Sequence, residues 1–425
     1  MRWYYSLFVF LAFAHSFSLA QRPKGYLLQP DQVFDGEQMH RHWSVLVLED
    51  KIISAAPAAS IKIPAGVEVI KLPGCTLLPG LIEGHSHLLL HPYNETSWDD
   101  QVLRESDAYR VARATVHARN TLMAGFTTVR DLGSEGAGYA DVGLKKSIDD
   151  GIIPGPHMLV AGRAIVATGA YGPKGFDTDF EVMLGAEPAD GNDLIRVVRD
   201  QIGKGADIIK VYADYRWGKN GEAQPTFSEE ELKTIVATAK SSGRPTVAHA
   251  STAEGMRRAI LAGVETIEHG DEGTLEIFQL MKEKKVALCP TLAAGDAIAQ
   301  YRGWKKGVGP EPDRIKQKRK SVQAAIQSGV ILVAGGDAGV FAHGDNVREL
   351  EMMVDYGMDA SAVVQSATSV SADVFHIADK AGRIKEGLMA DLLIVKGDPT
   401  KDITDLRKSV MVMKSGVIYR DEVKK

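Results

Sequence analysis

From Gly80 onward the chain alternates short apolar runs with amphipathic ones, and this alternation constrains the fold more than any other feature. The run "GLIEGHSH" is followed by the helical stretch "SDAYRVARATVHARNTLMAG" and then by the strand-like "FTTVRDLG". Further strands are read at "HMLVAGRAIV", "ADIIKVYAD", "PTVAHA", "VETIEHG", "VALCPTL" and "VILVAGGDAG", with helical stretches between them. One of these helices begins at Ser228 with Glu231 three residues on, the pattern of a capping box. Eight such strands predict an α/β fold, a (β/α)8 TIM-like barrel over residues 80–380. An open doubly wound sheet shows the same alternation but leaves the polar residues at so many strand ends unexplained.

The flanks have a different texture. Residues 21–79 and 381–425 carry β-formers broken by Gly, Pro and Asp, as in "WSVLVLEDKIISAAP" and "ADLLIVKGDP". Two β-rich ends of one chain predict a small β-sandwich domain built from both. Residues 1–20 differ again: Arg2, an apolar run, and small residues at Ser18 and Ala20. That is a signal peptide cut after Ala20, with an uncleaved membrane anchor as the alternative. The expected location is exported, periplasmic or secreted, with no stable membrane insertion after cleavage. Export permits a disulfide between Cys75 and Cys289, but their apolar settings favour two buried thiols. A net charge of −5 over 425 residues gives no basic surface for nucleic acid.

Residues able to bind metal recur where the barrel strands end. The first strand closes on His85 and His87, two apart and so on one face. Later strands bring Lys210 in "DIIKVYAD", His249 in "TVAHA", His269 in "TIEHG" and Asp337 in "AGGDAG". In a barrel all carboxyl ends face one mouth, so residues spread over about 250 positions can meet there. Lys210 lies among Ile208, Ile209 and Val211, and a buried ammonium is costly. Two readings stay open for it: a salt bridge to Asp207 or Asp214, or carbon dioxide added to the ε-amine. The resulting carbamate is an anion that can bridge two divalent ions.

The motifs "GHSH", "IKVY", "VAHA", "IEHG" and "GGDAG" resemble those of the amidohydrolase superfamily. The resemblance runs from about Gly25 to the C-terminus, nearest to a secreted Xaa-Pro dipeptidase-like and imidazolonepropionase-like branch. "HPYNETSW", "DLGSEGAGYADVGLK" and "ATGAYGPKGF" are similar to bacterial amidohydrolases that hydrolyse ochratoxin A. It implies two divalent metal ions, zinc by preference. His85, His87 and Asp337 would hold the more buried one, and His249 and His269 the more exposed one. N6-carboxylated Lys210 would bridge them, and Asp337 would be the catalytic acid–base. It also implies a homo-oligomer. One departure stands out: the loop after the third strand reads "ATGAYG" where these dipeptidases often carry a histidine. Tyr171 is the candidate hydroxyl donor in its place.

The expected reaction is metal-dependent hydrolysis of a small-molecule or dipeptide substrate with a free carboxylate, releasing a C-terminal amino acid. Ochratoxin A, cleaved to ochratoxin alpha and phenylalanine, falls within that class. A cyclic amide, imidazolone or lactone hydrolase is the alternative, and a non-catalytic barrel would have lost metal ligands that this chain keeps. Tyr212 shares the strand phase of Lys210, and the resemblance assigns it the substrate carboxylate. His343, six residues after Asp337, is a second candidate there. Tyr93, Trp98, Tyr171, Phe176, Trp217 and Trp304 are candidate pocket aromatics. The basic run "YRGWKKGVGPEPDRIKQKRK" is either a solvated face or a source of positive potential near the mouth.

Overall fold

A computed structural model describes residues 25–423. The signal-peptide segment, residues 1–20, lies outside the described residues. The fold is the α/β barrel expected, distorted, with a separate sheet made by the two chain ends.

The barrel wall is made of parallel ladders. Leu81–Ser86 pairs with Phe126–Asp131, which pairs with His157–Val160. Ile165–Val166, Ile209–Tyr212, Thr246–Ala250, Thr266–His269 and Ala287–Cys289 form a second parallel ladder in that order, linked to the first where the Asp207 nitrogen donates to the Val160 carbonyl at 2.8 Å. The expected eighth strand is not a regular one. Residues 330–338 meet the wall through the bridges Leu288–Leu332 and Ser86–Ala338 and through backbone hydrogen bonds such as Gly84 N to the Ala334 carbonyl at 2.9 Å and Asp337 N to the His85 carbonyl at 2.8 Å. The cause is local: a Cβ on Gly335 would lie 2.5 Å from Cys289 Sγ and 2.6 Å from the His85 backbone nitrogen. The chain can pass this close only as glycine, and Asp337 then turns with φ 62°.

The helices lie where the periodicity puts them. Asp107–Met123, Ala140–Asp149, Asp193–Gly203, Glu229–Lys240, Ala253–Ala262, Leu275–Lys284 and Asp313–Ser328 separate the strands. Ser228 and Glu231 form the capping box reciprocally. The helices bury Leu194, Ile235, Met256, Phe278 and Val322 against the strands. Leu292–Tyr301, Val347–Asp355, Ala360–Ser366 and Ser369–Val374 are helices that the alternation did not show.

The chain ends form one eight-stranded mixed sheet. Its joint is Val67–Pro79, parallel to Gly25–Phe34 on one side and antiparallel to Leu392–Lys396 on the other. Leu28, Val45, Ile52, Leu77, Ile394 and Met411 give it a core of its own. At the junction, the Gly80 nitrogen donates to the Asp391 carbonyl at 2.8 Å, which ties the first barrel strand to the C-terminal strands. Cys75 and Cys289 are free and buried. No helix among the described residues is long and apolar enough to cross a membrane.

Candidate active site

The first barrel strand delivers His85 and His87 to the mouth, and hydrogen bonds fix their tautomers. His85 Nδ1 donates to Glu268 Oε2 at 2.9 Å, and His87 Nδ1 donates to the Gly133 carbonyl at 2.8 Å. Both partners only accept, so each ring carries a proton on Nδ1 and turns Nε2 to the mouth. Both Nε2 atoms face Asp337: Oδ1 lies 3.7 Å from His85 Nε2 and 3.3 Å from His87 Nε2. No hydrogen bond satisfies Asp337 Oδ1, although it is buried. Two imidazole nitrogens and a carboxylate oxygen facing one another are the donor types that bind a divalent ion. Asp337 outweighs burial and raises His87 to about 9, so a proton on His87 Nε2 and a metal ion are alternative counter-charges for Asp337. Asp337 is held down to about 2, burial being overcome by His85, His87 and Lys210.

His269 and His249 complete the set. The His269 ring is 5.1 Å from that of His85 and 4.4 Å from that of His249. His269 Nδ1 is paired with the Thr291 hydroxyl at 2.7 Å. Burial lowers His85 to about 4, His249 to about 3, and His269 well below the usual imidazole value. Neutral rings are the form that binds a metal. Burial also lowers Lys210, which is fully buried and whose charge bears on His85, His249, His269 and Asp337. Neither expected salt-bridge partner is available to it. Asp207 pairs with Lys145 at 2.7 Å, and Asp214 accepts from the Ser251 and Thr252 backbone.

Ligand atoms of His85, His269 and Asp337 lie within 4.8 Å of one another, as do those of His85, Glu268 and Cys289. These are two polar clusters able to chelate a divalent ion. In the second, Arg130 and Thr266 already hold Glu268, and burial keeps the Cys289 thiol protonated. The first therefore fits a metal better.

The sequence reading names His269 and Asp337 but not their backbone conformation, and it misses Thr291 and Glu135. His269, Asp337, Thr291 and Glu135 all have positive φ (77°, 62°, 51° and 48°), a conformation rare for such side chains and concentrated at functional sites. Glu135 takes hydrogen bonds from Trp98 Nε1 at 2.9 Å, the Tyr171 hydroxyl at 2.6 Å and the Tyr212 hydroxyl at 3.4 Å. Tyr171 is thus committed to a carboxylate, not free as a donor. The single proton of Tyr212 cannot serve both Glu135 and a substrate carboxylate. His343 stands apart from the metal set: it bonds the Leu90 carbonyl at 3.0 Å and stacks on His117. His91 is held by Glu105 at 2.9 Å. Of the loop aromatics, Trp98 and Tyr171 face the site, while Phe176 and Trp217 are exposed. The basic run is partly neutralised, and Lys318 turns inward to the His269 carbonyl and Asp271, both at 2.6 Å.

The amidohydrolase family model matches residues 76–419. The chain belongs to this family. It is 30% identical over 404 residues to ochratoxinase of Aspergillus niger, covering 87% of this chain and 80% of that protein. A crystal structure of a Xaa-Pro dipeptidase with methionine bound in its active site superposes with a TM-score of 0.82 at 32% identity, covering 93% of this chain and all of the other. The crystal structure of A. niger ochratoxinase gives a TM-score of 0.78 at 26% identity, covering 94% of this chain and 96% of that one. This amidohydrolase is accordingly an enzyme, a metal-dependent hydrolase whose candidate metal clusters sit at the barrel mouth.

Proposed function

We propose that this amidohydrolase releases a C-terminal amino acid from dipeptides or N-acyl amino acids, ochratoxin A among them. The observation that carries the reading is the approach of His85 Nε2 and His87 Nε2 to Asp337 Oδ1, with His269 alongside, a donor set able to hold a divalent ion. Likeness to a Xaa-Pro dipeptidase and to ochratoxinase supports the substrate class.

His85, His87 and Asp337 would hold one divalent ion, His249 and His269 a second, and Lys210, carboxylated at Nζ, would join the two sets. Zinc suits imidazole and carboxylate ligands in an open site. When bound, such ions polarise a carbonyl and lower the pKa of water. Asp337 stays ionised at neutral pH, so it accepts the proton of the attacking water and returns it to the leaving amine. Glu268 and Thr291 keep the rings of His85 and His269 aimed. Tyr212 stacks on His249 at 4.5 Å and walls the substrate side. Arg216, which donates to the Tyr215 hydroxyl at 3.0 Å, brings a cation to that wall for the substrate carboxylate.

The test is a panel of hippuryl-phenylalanine, dipeptides, ochratoxin A and a cyclic amide, with and without chelator. Chelator-sensitive release of the C-terminal residue is the expected result. Cleavage of the cyclic amide alone would contradict it.

A further inference from the structure

Glu135 has no part in the chemistry above, yet the substrate wall is assembled around it. It follows the second barrel strand, with φ 48° and 3% of its surface exposed. Its two oxygens differ. Oε2 is anchored by Trp98 Nε1 at 2.9 Å and the Tyr171 hydroxyl at 2.6 Å. Oε1 has one long contact, the Tyr212 hydroxyl at 3.4 Å. This less committed oxygen is on the metal side: a Cβ on Gly133 would lie 3.3 Å from Oε1 and 3.5 Å from His87 Cε1.

Ring faces surround Glu135 on the substrate side, and behind it the buried Arg110 guanidinium donates to its backbone carbonyl at 2.8 Å. Tyr171 packs on Trp98, Tyr212 and Tyr215 at 5.1, 4.7 and 4.8 Å between centroids. Burial first, then the charge of Glu135, holds Tyr171 and Tyr212 well above the usual tyrosine value, so both stay neutral. A carboxylate and π faces attract the same kind of group, a cation with N–H donors. An anionic group at this position would meet repulsion.

We propose that Glu135 reads a protonated amine on the substrate, so that the site favours ammonium-bearing substrates over neutral N-acyl ones. The proposal rests on the amide-hydrolase reading. The ammonium has two possible sources, the substrate's free N-terminus or the side chain of the released residue.

Two pairs of compounds separate these sources. Alanyl-phenylalanine against its N-acetyl form tests the N-terminus. N-acetyl-alanyl-lysine against N-acetyl-alanyl-norleucine tests the side chain. Both kcat/KM and calorimetric affinity are measured on the metal-loaded wild type and on Glu135→Gln, which keeps an acceptor for the tyrosines and the indole. In the wild type, at least one pair should differ by ~10-fold or more, the scale of a hydrogen bond between charged groups. Glu135→Gln should bring that ratio to within about twofold. Wild-type ratios near unity for both pairs, or a ratio that survives Glu135→Gln, would overturn the proposal. Ammonium-dependent binding without cleavage of any compound contradicts the hydrolase reading and leaves Glu135 as assigned. Cleavage that ignores the ammonium does the reverse.

Discussion

Glu268 Oε2 accepts from His85 Nδ1 at 2.9 Å, and the other oxygen of the same carboxylate is held by Arg130 at 2.9 Å. Glu268 is fully buried, so the His85 ring is locked by a charge that cannot relax into water. Partners of this kind typically set metal affinity by 10–100-fold, so Glu268→Gln should weaken metal binding by about that factor. A competitive chelator titration measures it. Affinity unchanged from wild type would show that His85 needs no such support.

Asp337 is assigned to proton transfer. Asp337→Asn keeps the size of the side chain and removes the base. At matched metal content kcat should fall by ~100-fold or more, the usual contribution of an acid–base group. A variant with full metal and near wild-type kcat would move the base elsewhere.

The proposed function gives Arg216, not Tyr212, the substrate carboxylate. Arg216→Ala should lower kcat/KM ~10-fold or more for substrates with a free carboxylate, and far less when that group is blocked as an amide. Tyr212→Phe should show no such dependence on blocking, because its hydroxyl faces Glu135. If blocking instead cancels the Tyr212→Phe loss, Tyr212 reads the carboxylate after all.

The barrel was legible because its signal is periodic. Seven helices and most of the strands fall where apolar spacing puts them, and the capping box at Ser228 needed only the identity of Glu231. His85 and His87 were legible together because strand phase alone aims them one way. The eighth strand was misread because its apolar run says nothing of how closely Gly335 must pass Cys289. Glu135 was missed for a related reason: φ 48° turns it inward from a loop whose sequence reads as polar surface. Lys318 looked solvated within a basic helix, yet a carbonyl from another strand captures it. Contacts of this kind are set by tertiary geometry and leave no periodic trace.

Glu349, packed against Gly336, gives a pH dependence of its own. Its Oε2 accepts from the Ala293 nitrogen at 2.7 Å, and its Oε1 is buried without a partner. Burial raises it from the ordinary 4.5 to about 8. Between those values the folded protein holds a proton that the unfolded chain has lost, so stability falls as pH rises through that window. Below it the contribution is fully present, and above it the contribution is gone. Glu349→Gln removes the titration, so the Tm of the variant relative to wild type should rise from pH 5 to pH 8.5. A constant offset across that range would mean that Glu349 is ionised throughout.

A bridged pair of metal ions is countable by elemental analysis of active, purified protein. Two-metal hydrolase sites hold their ions side by side, so about two divalent ions per chain are expected, with zinc predominant. Lys210→Ala, which removes the amine proposed to carry the carbamate, should lose metal and activity together. Full activity with one ion or none per chain, or full metal and full activity in Lys210→Ala, would contradict the account.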